Sequence, residues 1–164
     1  MAAVRIRDEI KQRKPFHSLS QEAVLALVRT ADLLRRHFSD TLEPHGITPQ
    51  QFNVLRILRG AGKVGLPTME IGRRMIEQTP GTTRLVDRLI DKGWVTRESS
   101  AGDRRQVVCR ITSKGLTALA ATDAPMRAAD EKALEGLSKE DLRSLLRILD
   151  IARSTLRGDK ASLV

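Results

Sequence analysis

Between residues 68 and 112 the apolar period of the chain changes once, and that change limits the folds open to it. Residues 68–77 (TMEIGRRMIE) keep a helical rhythm. Thr79 followed by Pro80 reads as the next helix start, because proline leaves no orphan N–H and its fixed φ suits a first turn. This helix is expected to run to Lys92 and to stop at Gly93. Thr82, Val86, Leu89 and Ile90 form its apolar stripe, with Arg84, Asp87, Arg88 and Asp91 on the other face. WVTRESS and QVVCRIT then read as two short strands joined by the charged turn AGDRR, and only a hairpin fits that length.

Helical patterns flank this centre. Ser20 offers an N-cap, after which Val24, Leu27, Val28, Ala31, Leu34, Phe38 and Leu42 keep a helical rhythm as far as Pro44 and Gly46. A second helix opens at Thr48 with Pro49 in its first position and carries Phe52, Val54, Leu55 and Leu58. Gly60, Gly62 and Gly65 then break the chain. Beyond the hairpin, Ser113 is expected to cap a long helix, interrupted or kinked near Pro125. Ser138-x-x-Asp141 resembles a capping box and starts a last helix with the stripe Leu142, Leu145, Leu146, Leu149 and Ala152. The fold class is mainly α with a small β hairpin wing: a winged helix-turn-helix between long flanking helices.

Charge points to the partner. The chain carries a net +9. Residues 1–16 hold five basic and two acidic groups, residues 70–110 nine and six, and residues 111–164 nine and eight. The excess therefore gathers in an N-terminal arm and in the helix-turn-helix segment, as a polyanion partner requires. Composition alone does not separate nucleic acid from an acidic membrane surface. Aromatic residues make up only 2% of the chain, which argues against proteins that stack single-stranded bases on aromatic platforms. A single cysteine, Cys109, rules out an internal disulfide and suits a reducing cytoplasm. No apolar run approaches membrane-spanning length and MAAVRIRDEI lacks a secretory apolar region, so a cytoplasmic protein without a membrane partner is expected.

Double-stranded DNA fits the central motif. A major groove about 12 Å wide admits one helix, which offers side chains of its N-terminal half to base edges. The positive end of that helix, with Thr82, Thr83 and Arg84, would face phosphates. Gly72 lies inside the preceding helix, where glycine costs about 1 kcal/mol against alanine. Close crossing by the recognition helix would explain it.

The segment TRLVDRLIDKGWVTRESSAGDRRQVVCRITSKG resembles the MarR family of bacterial regulators. The family's Thr-Arg-x-x-Asp-Arg-Leu recognition helix corresponds to residues 83–89, its Lys/Arg-Gly-Leu/Trp-Val exit to Lys92 through Val95, and its Asp-x-Arg wing to Asp103 and Arg105. Its Leu-Thr-x-x-Gly helix start corresponds to Ile111, Thr112 and Gly115, with Ile in place of Leu. TPQQFNVLRIL matches the second helix, and the likeness extends over residues 20–156. The resemblance implies an obligate homodimer whose first and last helices intertwine, and two winged domains reading a pseudo-palindrome. It also implies control by a small, often phenolic or aromatic, effector. Carried over by position, Thr83 and Arg84 enter the major groove with Thr79 and Thr82 nearby, while Arg105, beside Arg104, enters the minor groove from the wing tip. Gly81 departs from the pattern: it lets backbone approach DNA closely but loosens the first turn. Asp103 orients a wing arginine. Arg88 either meets phosphate or pairs with Asp87, Asp91 or a wing carboxylate. Phe38, Phe52 and Arg56 are candidate effector contacts, one cation amid apolar walls. The boundaries expected are an arm (1–19), a helical dimerisation region (20–45 and 113–158), the DNA-binding domain (46–112) and a tail (159–164).

Other motifs carry less. Residues 60–65 match G-x-G-x-x-G, but they follow a helix rather than a strand and precede Pro67, so no dinucleotide is expected. Cys109 shares strand parity with Val107 and Ile111 and reads as a small buried hydrophobe rather than a redox sensor. His17, His37 and His45 have no ligand spacing; His37 and His45, with Asp40 or Glu43, read as solvated surface rather than a metal site. Nucleophile elbow, zinc-protease spacing and phosphate loop are all absent, so neither enzyme nor cofactor is expected. The competing classes are an architectural DNA-coating protein without an operator and a basic membrane-surface or protein-docking module.

Overall fold

The computed structural model describes residues 4–77, 80–99 and 107–158. The order is α1 (Ile6–Glu9), α2 (Leu19–Leu42), α3 (Pro49–Ala61), α4 (Thr68–Arg74), α5 (Thr82–Asp91), β1 (Val95–Ser99), β2 (Val107–Ile111), α6 (Ser113–Ala133) and α7 (Lys139–Arg157). The fold is thus mainly α with one antiparallel hairpin, as expected. The chain divides into two compact units, Met1–Ala129 and Asp130–Val164.

Local chemistry explains where these helices begin. Ser18, two residues before the expected Ser20, caps α2 by accepting a hydrogen bond from the Gln21 amide at 3.1 Å. Both serines sit before the same apolar run, and the extended backbone at Ser18 decides between them. Thr48 and Gln51 form a reciprocal capping box around Pro49 at the start of α3. Thr112, not Ser113, accepts from the Gly115 amide at 3.0 Å at the start of α6. Helix α6 then continues through Pro125 without interruption.

The core of the first unit is built where α3, α4 and α5 meet the hairpin. Leu55 and Leu58 of α3, Ile71 of α4, Val86 and Leu89 of α5, Val95 and Leu119 are all essentially inaccessible to solvent. Burying each such side chain contributes about 1.5–3 kcal/mol. Helix α2 buries only Leu42, and Val24, Leu27 and Val28 of the expected stripe are exposed. His37 is half-buried, not solvated: its Nε2 lies 3.1 Å from the Ala129 carbonyl oxygen.

In the second unit, α7 begins with the expected box. The Ser138 amide and hydroxyl donate to Asp141, whose amide donates back to Ser138 Oγ. These bonds hold the Asp141 carboxyl below its ordinary value. Among its described residues α7 buries none, and Leu146, Ile148 and Ile151 are exposed.

The hairpin pairs Val95 with Ile111 and Ser99 with Val107. A further antiparallel bridge joins Leu66 to Cys109, through Leu66 N to Cys109 O at 3.0 Å and Cys109 N to Leu66 O at 2.8 Å. Gly65, at φ +71°, precedes this bridge because a Cβ there would stand 2.6 Å from the Cys109 oxygen. Cys109 is buried, as its parity suggested, but Val107 on the same parity is half exposed and Val108 is buried instead.

Candidate nucleic-acid interface

The recognition helix sits where α4 lets it. A Cβ on Gly72 would lie 3.2 Å from Thr82 Oγ1, tighter than ordinary van der Waals contact, so glycine admits the first turn of α5 against α4. Thr82 is consequently half-buried, turned toward α4. Helix α5 starts two residues after Pro80, with Gly81 as its N-cap at φ +117° and no side-chain cap. That left-handed backbone is strained for any residue with a side chain, so glycine sets the start that the Thr79-Pro80 pair was expected to set.

Beyond this turn the two faces of α5 separate cleanly. Val86 and Leu89 enter the core, while Thr83, Arg84 and Arg88 are exposed. Among the described residues neither Arg84 nor Arg88 has an ion-pair partner. Asp87, one of the partners weighed for Arg88, instead accepts from Arg97 of β1 at 2.8 Å. That hydrogen bond raises the already high affinity of the Arg97 guanidinium for its proton. The exposed end of α5 therefore offers guanidinium groups beside the positive end of a helix, which is the chemistry of phosphate and base-edge contact. Thr79, Asp103, Arg104 and Arg105 lie outside the described residues.

Contacts the sequence did not disclose hold the C-terminal end of this helix and the chain that leaves α4. Lys92 Nζ donates to the Gly46 carbonyl at 2.7 Å and to Gln51 Oε1 at 3.3 Å, and lies 4.4 Å from the Trp94 ring centroid. It ties the end of α5 to the start of α3. Just after α4, Asn53 accepts from the Ile76 amide at 2.9 Å. Gln50 and Arg35 donate to Glu77 at 3.3 and 3.1 Å. The hairpin is braced by Arg110, which donates to Glu98 and to the Lys63 carbonyl, each at 2.8 Å.

Two of the three candidate effector residues, Phe52 and Arg56, are in contact. Phe52 is buried in the core, Phe38 packs against that core, and the exposed Arg56 holds its guanidinium 5.6 Å from the Phe52 ring centroid. The described residues contain no group of three or more His, Cys, Asp and Glu side chains able to hold a metal, and no helix long and apolar enough to cross a membrane.

This geometry has close counterparts. A MarR family model matches residues 45–106, which include α3, α4, α5 and β1. The crystal structure of a MarR transcription factor from Planctomyces limnophilus is 35% identical, covers 84% of this chain and 99% of its own, and superposes with a TM-score of 0.63. The chain belongs to the MarR family. It is a MarR-family transcriptional regulator whose resemblance extends well beyond the matched segment. The HTH-type transcriptional regulator MhqR of Bacillus subtilis is 27% identical over 130 residues, 79% of this chain and 88% of its own. A mutant MarR from Escherichia coli, solved in complex with operator DNA, shares the fold at 23% identity and a TM-score of 0.70, over 77% of this chain and 90% of its own.

Proposed function

We propose that this MarR-family regulator is a cytoplasmic repressor that binds a pseudo-palindromic DNA operator as a homodimer. The observation that carries the reading is the outer face of α5, where Thr83, Arg84 and Arg88 are exposed and the two arginines lack ion-pair partners among the described residues. The Escherichia coli relative bound to operator DNA supports the same use of this fold. In this reading Arg84 and Thr83 contact base edges, with Thr79 beside them. Thr82 chiefly seats the helix against Gly72, and Arg88 meets phosphate. Arg104 and Arg105 extend from the wing into the minor groove, with Asp103 orienting one of them. The activity is binding, not catalysis.

Dimerisation follows from α2 and α7. Each presents large apolar side chains to solvent, Val28 at 62% and Leu146 at 61% exposure, more than a lone soluble chain usually leaves uncovered. Two-fold symmetry then sets half-sites about one helical turn apart, within an operator of roughly 16–20 base pairs. The arm (1–19), the dimerisation region (20–45 and 113–158), the reading domain (46–112) and the tail (159–164) divide the work accordingly.

Phe38, Phe52 and Arg56 support a second element of the reading, release by a small aromatic or phenolic effector. The cation over the Phe52 ring is the arrangement an aromatic acid would join.

Selection of bound sequences from a random duplex pool tests the proposal. Enrichment of one palindromic site with such spacing, by a protein that sediments as a dimer, is the expected result. Uniform recovery of all sequences would make the protein an architectural DNA coat, and a folded monomer at micromolar concentration would remove the palindrome.

A further inference from the structure

The turn that delivers the recognition helix is tied to a helix outside the helix-turn-helix. Three consecutive residues after α4 are held from different sides. Met75 is buried in the core, the Ile76 amide is taken by Asn53 of α3, and Glu77 is gripped by two side chains. One of these is Gln50 of α3, on Oε2; the other is Arg35 of α2, whose Nε donates to Oε1. Arg35 is itself fixed, because its Nη1 donates to Asp32 of the same helix at 3.3 Å. Asp32 also accepts from Arg36 at 2.7 Å and lies 3.7 Å from Arg29, which pairs with Glu9 of the N-terminal arm at 2.6 Å. A continuous row of alternating charges thus runs from the arm along α2 to the residue at the mouth of the turn. On the far side of the turn, α5 starts on Gly81, which has no side chain to cap it.

We propose that Arg35 is a positioning residue for DNA reading: through Glu77 it couples the placement of α2 to that of α5. This rests on the reading of α5 as the DNA-contacting helix. Arg35 need touch no phosphate to act. A shift of α2 would move the Arg35 guanidinium relative to Glu77, and the turn must then follow or release it. The pair is half exposed, with side chains 51% and 41% accessible, so its effect is modest and graded.

The test compares the full chain with Arg35→Ala, Glu77→Gln and the double variant. None of these removes a core side chain, and Glu77→Gln leaves an amide oxygen to bond Gln50. Two readouts are taken: amide hydrogen exchange over residues 75–85 in the free protein, and affinity for the duplex enriched from the random pool across a salt series. Each single variant is expected to exchange faster in that segment and to bind about two- to fivefold more weakly. The salt slope should stay unchanged, and the double variant should bind no more weakly than the worse single. Three results would overturn the proposal: additive losses, unchanged exchange, or a slope reduced by about one in Arg35→Ala, which marks a direct phosphate contact. If no duplex is enriched, the DNA reading fails, while exchange still decides whether Arg35 holds the turn.

Discussion

Gly115, in the first turn of α6, lies against the Trp94 carbonyl so closely that a Cβ would come under 3.0 Å from its oxygen and 2.9 Å from Ile111 Cγ1. Thr112 completes the same junction, donating from Oγ1 to the Gly93 carbonyl at 2.8 Å while accepting from the Gly115 amide. The end of the recognition unit, the base of the hairpin and the start of α6 are therefore joined within a few atoms. Two of the obstructing atoms are backbone, which cannot rotate away. Gly115→Ala should destabilise the protein by more than about 2 kcal/mol, read as a lower urea midpoint. A change under about 0.5 kcal/mol would show that the junction yields.

Gly72→Ala should behave differently, because its neighbour is the tip of a side chain. Alanine gains about 1 kcal/mol of helix propensity, offset by displacement of Thr82 by a few tenths of an ångström. Stability should stay within about 1 kcal/mol of the parent while operator affinity falls, as α5 is pushed from α4. Adding Thr82→Ala should restore binding. Failure of that rescue would mean Thr82 itself contacts DNA.

Arg84 and Arg105 should separate two kinds of contact. Arg84→Ala is expected to lose about 1–3 kcal/mol of operator binding and to relax preference at one base position per half-site. Arg105→Ala should weaken operator and scrambled duplex alike and flatten the salt dependence. Arg105→Lys should recover little, since ammonium resists desolvation in a narrow groove. Titration of each variant against both duplexes over a salt series distinguishes them. If Arg105→Ala changes neither affinity nor slope, the hairpin does not touch DNA.

The cap of α7 should be sensitive to acid. Asp141 is held below its ordinary value by the Ser138 hydrogen bonds, so its contribution to folding is complete above the unfolded carboxyl pKa. That contribution is lost as pH falls through the lowered value. Amides at the start of α7 should therefore exchange faster on acidification, after correction for the intrinsic rate, and Ser138→Ala, which keeps only the backbone bond, should reduce the dependence. An unchanged profile in Ser138→Ala would assign the acid response to other carboxylates.

Periodic and steric features were the legible part of this fold. The helix rhythm of residues 82–90, the presence of two short strands and the meaning of Gly72 all depend on near neighbours or on a forbidden Cβ, whereas the strand parity that would bury Val107 with Cys109 did not hold. Caps were misplaced by a residue or two where hydroxyls compete, as Ser18 does with Ser20 and Thr112 with Ser113, because the entry angle of the chain makes the choice. The ties that hold the candidate site were not legible at all. Lys92 meets Gly46, and Arg35 meets Glu77, across more than forty residues of chain, and no local pattern marks either pair.

The bridge between Leu66 and Cys109 has a topological consequence. Its two hydrogen bonds bring together the chain just before α4 and the chain just after the wing tip, so α4, α5 and the hairpin form one closed loop. Lengthening such a loop raises its closure entropy only slowly, by about 0.6 kcal/mol for each doubling. A longer or shorter wing can thus be accommodated between Ser99 and Val107 while the loop's neck stays shut. In the proposed reading, the surface offered to DNA can be refitted to new operators without disturbing the helices that carry it.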